Sequence, residues 1–180
     1  MQKRRLLPFW ILFLFLPLTL FAKPASVIDA EVNMALKQFY HQVKGGRAFL
    51  QKAEGYLVFP EVIKAGIGIG GEYGEGALRV GGRTVAYYNT VSASVGLQLG
   101  VQKKSVIIAF LTKKALRDFR RSEGWKAGVD GSIAIAKWGA GKDISTIDFQ
   151  KPIVAFIFNN QGLMYNLTLE GSKFTRIHPR

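Results

Sequence analysis

Between Tyr56 and Leu111 the sequence alternates with a period of two and is broken repeatedly by glycine, a combination that commits this stretch to curved β-sheet. The clearest segment is Val91 to Val101. There Val91, Ala93, Val95, Leu97, Leu99 and Val101 alternate with Ser92, Ser94, Gly96, Gln98 and Gly100, giving one apolar and one small polar face. Upstream, Tyr56–Phe59 reads as a short strand stopped by Pro60. Gly66–Tyr73 and Gly76–Val80 read as strands joined by glycine-rich turns. Gly81-Gly82 is a two-residue hairpin signal, with Thr84–Thr90 pairing back. Lys103-Lys104 reads as a turn before Val106–Leu111, which is apolar on both faces.

Helical spacing brackets this sheet. Ile28, Val32, Ala35, Leu36, Phe39 and Val43 form one apolar stripe over residues 26–44, with Ser26 and Asp29 as the expected capping box and Gly45-Gly46 as the stop. A short helix follows at Arg47–Glu54, and another is expected over 113–122, capped by Thr112 and ended by Gly124. Further strands are expected at Gly131–Ala136, Ile153–Phe158 and Leu163–Leu169, the last two joined by the turn Asn159-Asn160-Gln161-Gly162. The predicted fold is α+β: a mainly antiparallel, strongly curved or barrel-like glycine-rich sheet of about eight strands, with two to three helices including an N-terminal amphipathic one. No repeat or second domain is visible, so residues 23–180 read as one domain.

Residues 1–22 stand apart. Lys3, Arg4 and Arg5 precede an uncharged apolar run from Leu6 to Ala22, the pattern of a secretory signal. Cleavage is expected after Ala22, with a retained N-terminal anchor as the alternative. The net charge of +13 falls to +10 when the three leader cations are removed, which favours anionic partners. An exported chain points to anionic phospholipid or a membrane surface, or to acidic cell-wall polymers, rather than to nucleic acid, and solubility alone is the competing explanation. The chain has no Cys, so disulfides, thiolate chemistry and lipidation at an N-terminal Cys are excluded.

Catalytic signals are weak. Gly66-Ile67-Gly68-Ile69-Gly70-Gly71 fits a dinucleotide-binding spacing, but Glu72-Tyr73-Gly74-Glu75-Gly76 is a poor helix start, so the expected context is missing. No nucleophile elbow occurs, and His41 and His178 stand alone. No catalytic residue, cofactor or metal site is expected.

The predicted 113–122 helix carries the strongest signal. Lys113, Lys114, Arg117, Arg120 and Arg121 are opposed within it only by Asp118, while Leu116 and Phe119 face the core. Lys126 extends the patch, and Trp125 is expected at a lipid interface. Each cation near an anionic membrane contributes about 1 kcal/mol. Five give about 5 kcal/mol, near-millimolar binding, so a head-group pocket or apolar insertion is also required. Lys64, Gly66, Gly68, Gly70 and Gly71 are candidates for a binding rim.

The ordered series Tyr56-Leu57-Val58-Phe59-Pro60, Lys64 to Gly76, Tyr87-Tyr88-Asn89-Thr90, Ser94 to Gly100, Gly162-Leu163-Met164 and Leu169 to Lys173 resembles the SYLF domain family, from about Ala48 to Ile177. The resemblance implies non-enzymatic phospholipid binding. Eukaryotic relatives bind phosphoinositides, and the yeast member also binds actin, a partner that an exported chain would not meet. Bacterial members are small envelope proteins, so the resemblance and the leader together imply the periplasm or cell envelope of a Gram-negative bacterium. A structural or protein-interaction factor is the alternative reading, and the oligomeric state stays open.

Overall fold

The computed structural model describes residues 22–136, 144, 150–161 and 168–180. The leader through residue 21, and most of the strand expected at Leu163–Leu169, lie outside them. The architecture is α+β, with three helices and a mostly antiparallel sheet curled strongly into a half-barrel. Helices α1 (Ala25–Gln42) and α2 (Gly46–Lys52) precede the long strands β1 (Gly55–Val80) and β2 (Arg83–Phe110). Helix α3 (Lys113–Arg121), the short strands β3 (Trp125–Lys126) and β4 (Ala134–Ile135), and strands β5 (Ile153–Gln161) and β6 (Lys173–Ile177) follow.

β1 and β2 form one hairpin closed by Gly81 and Gly82, both at positive φ, as the two-residue signal predicts. Their free edges are filled differently. β2 pairs with β1 on one side; on the other it pairs with β6 along Tyr87–Val91 and with β5 along Lys103–Phe110. Only β4 runs parallel to its neighbour, β5, among the described strands.

Three expected breaks are absent. Pro60 does not stop β1, because the register shift between Phe59 and Val62 places it at a bulge, where its missing N–H costs no ladder bond. Lys103-Lys104 is not a turn: both residues pair across to β1, and their charges are met by Glu61 at 2.8 Å and Glu72 at 2.8 Å. Asn159-Asn160-Gln161 likewise belongs to β5 and is no turn. β6 was not expected at all.

The hairpin doubles over itself about residues 67–68, and glycines occupy the crossings. A Cβ on Gly76 would collide with the Val58 carbonyl oxygen; on Gly74 it would lie 2.8 Å from the Glu61 oxygen, and on Gly70 2.7 Å from that of Ala65. Backbone therefore crosses backbone at a separation only glycine permits.

Strand alternation then builds a core on each face. Val58, Ala77, Ile107, Ala109, Val154, Phe156 and Phe158 meet the buried stripe of α1 and Leu50 of α2. Leu57, Phe59, Leu78, Tyr88, Val106, Ile108 and Phe110 meet Leu116 and Phe119 of α3, with Trp125 and Phe174. The capping box expected at Ser26 is replaced by Pro24 at the N-cap, with no side-chain cap. Asp29 instead ties α1 to the hairpin, accepting from Thr84 Oγ1 at 2.6 Å, the Tyr87 hydroxyl at 2.8 Å and Arg79 Nη2 at 3.4 Å. Burial, then this hydrogen bond, pushes the Tyr87 hydroxyl above the ordinary phenol range. Asp29→Ala, which strands three donors, is expected to lower stability by about 2 kcal/mol in urea unfolding.

Candidate functional site

Helix α3 starts where Thr112 Oγ1 accepts from the Ala115 amide at 3.1 Å. Its orientation is fixed by Phe119, whose ring stacks within 4.8–6.3 Å of Phe110, Tyr88, Trp125 and Phe174. With Leu116 and Phe119 turned inward, Lys113, Arg117, Arg120 and Arg121 are exposed on the other side.

β6 brings a further cation to this face. Phe174 points into the core beneath α3, and two residues on, Arg176 shares that side of the strand. Arg176 lies opposite Tyr88 in the ladder. Burial pushes the Tyr88 hydroxyl above the ordinary phenol range, while the positive charges of Arg176 and Arg120 oppose the shift. The helix and strand together enclose a pocket of about 430 Å3, open to solvent and lined by Lys113, Leu116, Arg117, Arg120, Arg121 and Arg176. None of its five cations has a carboxylate partner among the described residues. An anion with several oxygens, such as a phosphate ester, matches such a lining, because guanidinium groups donate in paired, planar fashion.

The other expected site residues are placed differently. Lys114 turns away from the pocket and binds Asp118 at 2.5 Å. That hydrogen bond holds the Asp118 carboxyl below its usual range, with the Lys114, Arg117 and Arg121 charges acting in the same direction. Trp125 is only 4% exposed, so it is core and not a lipid-interface anchor. Strand alternation in β3 turns Trp125 inward against Phe119 and Phe174 and leaves Lys126 exposed, outside the pocket lining.

The proposed rim is occupied by its own contacts. Lys64 lies 3.7 Å from Glu72, which also holds the buried Lys104 at 2.8 Å. Gly66 and Gly70 abut at the hairpin's fold, Gly71 has only ordinary contact with the Ser92 oxygen, and Gly68 lies within β1. A second cavity of about 400 Å3 runs past Gln38, Pro60, Lys103, Ser105 and Asn159. Several of its polar groups bond one another or a neighbour: Asn159 bonds Gln38, Gln42 and Ser105, and Lys103 bonds Glu61. Among the described residues no group of three or more His, Asp or Glu could hold a metal ion.

Sequence reasoning found four of the five pocket cations through helical spacing. It missed Arg176, whose position depends on a strand far along the chain. A family model described as Ysc84, Las17-binding protein actin regulator, matches residues 91–178, a span that includes β2 from Val91 onward, α3 and β6. No curated protein matches the chain.

Proposed function

The chain belongs through residues 91–178 to the Ysc84 (SYLF) family, a family of binding domains and not of enzymes, and on that premise we propose that it is exported and binds anionic phospholipid at the cell envelope. The observation that carries this reading is the pocket of five cations between α3 and β6, none of which forms an ion pair among the described residues. A phosphate head group entering it meets converging donors, which adds directional hydrogen bonding to the roughly 1 kcal/mol that each cation contributes near an anionic surface. Ile69 and Val101, exposed apolar residues near the hairpin's fold, are available for insertion. The family description names Las17 binding and actin regulation. Both would need a partner on the other side of the membrane from an exported chain, so they are not carried over.

Co-sedimentation tests the reading. The protein is expected to pellet with phosphatidylcholine vesicles containing phosphatidylglycerol and to stay in solution with phosphatidylcholine alone. Raising salt from about 0.1 to 1 M, which shortens the screening length from about 10 to 3 Å, should release most of it. Failure to pellet with either vesicle type removes the proposal.

A further inference from the structure

We propose that Glu75 is the receptor for the α-ammonium group created when the leader is cut between Ala22 and Lys23, so that maturation adds an ion pair to the folded domain. The inference rests on the export reading above, and not on lipid binding.

Glu75 sits on β1, 8% exposed, and is one of the few buried charged groups among the described residues. Its Oε1 accepts from the Tyr73 hydroxyl at 2.6 Å, and its Oε2 accepts from the main-chain nitrogen of Lys23 at 3.0 Å. No Lys, Arg or His side chain pairs with it among the described residues. A buried carboxylate without a counter-charge is unfavourable unless one is supplied. Tyr73 cannot supply it, since its hydroxyl is pushed above the ordinary phenol range, by burial first and then by Glu75, and stays a neutral donor.

Lys23 is held in place independently of this contact. Its Nζ binds both oxygens of Glu31, at 2.9 and 2.7 Å, so the side-chain ammonium is already engaged. Pro24 follows with φ fixed near −56° and starts α1, and the Ala25 amide donates to the main-chain oxygen of Arg180 at 3.0 Å. The titratable groups around this corner are thus Glu75 and Tyr73 on β1, and the Lys23 ammonium with Glu31 on α1, while the main-chain oxygen of Arg180 lies against Ala25.

The sequence places the cut at this same nitrogen. A membrane-bound leader peptidase would hydrolyse the Ala22–Lys23 amide with one water. The leader keeps the Ala22 carboxylate, and the Lys23 amine takes up a proton. Before cleavage the nitrogen donates one neutral N–H; afterwards it is a cation with three, aimed at a carboxylate it already contacts. Such a charge-assisted bond is roughly twice as strong as its neutral counterpart.

The test expresses the full chain and analyses the processed product, whose mass should begin at Lys23. Its α-amine is expected to titrate about one pH unit above the 7.7–8.0 of a free terminus, and Glu75→Gln to return it to that range. A second full chain carries Gln-Thr inserted between Ala22 and Lys23, so that its product is two residues longer. That product should melt about 4 °C lower at pH 7, and the difference should vanish in the Glu75→Gln background. The folded amine titrates high, so the difference should also fade as pH rises through that value. A processed product that starts at another residue overturns the receptor and leaves export standing, whereas a chain left unprocessed overturns the inference together with the cleaved-leader reading. A product starting at Lys23 whose amine titrates normally, or an extension that costs nothing, overturns the receptor and leaves export standing.

Discussion

Gly76→Ala is expected to destabilise the domain by about 3 kcal/mol or more, a large share of the roughly 5–15 kcal/mol that keeps a domain folded. The added methyl would penetrate the Val58 carbonyl oxygen and lie 2.8 Å from Phe59 Cδ1. Neither can yield cheaply. Val58 is paired with Ile107 in the hairpin ladder and fully buried against the α1 side, while Phe59 fills the core beneath α3. The effect should be graded along the crossing. Gly74→Ala, 2.8 Å from the Glu61 oxygen, should cost less, and Gly71→Ala, 3.4 Å from the Ser92 oxygen, should fall within about 0.5 kcal/mol of the parent. Urea midpoints at constant m-value would establish the order. A Gly76→Ala protein as stable as the parent would show that the hairpin halves do not cross at this separation.

That crossing explains what the sequence displayed and what it hid. The glycine spacing predicts curvature, and curvature is found, but it does not say which segments meet. The contacts pair residues symmetrically about 67–68, Val58 with Gly76 and Glu61 with Gly74, a relation visible only once the ribbon is folded. The apparent breaks misled for a common reason. Pro60 and Lys103-Lys104 have poor local strand propensity, yet a bulge accommodates the first and cross-strand carboxylates the second. Tertiary pairing overrode the local signal. Helix α3 was legible in full, because i, i+3 and i, i+4 spacing reports a helix face directly. Trp125 was misplaced because adjacency to Lys126 suggested a shared surface, whereas successive residues of a strand face opposite ways.

Replacing Lys113, Arg117, Arg120, Arg121 and Arg176 together by Gln is expected to weaken binding to phosphatidylglycerol vesicles on the order of a thousandfold, at about 1 kcal/mol per cation. Single changes separate a pocket from diffuse charge. Arg176→Gln should lower affinity about fivefold, while Lys126→Gln and Lys114→Gln, outside the lining, should change it less than twofold. Equal effects at Arg176 and Lys126 would mean that only net charge matters, and the pocket would lose its role. Stability gives an independent readout. Lys113 with Arg117, and Arg117 with Arg121, are like charges at i, i+4, each unfavourable by about 0.2–0.5 kcal/mol. The neutralised variant should therefore melt at or slightly above the parent temperature while binding collapses. A helix that served solubility alone could place acidic residues at these spacings and relieve the repulsion, as Lys114 and Asp118 do one residue away. Concentrated repulsion around an open pocket suits the proposed anion site, where a phosphate would supply the counter-charge.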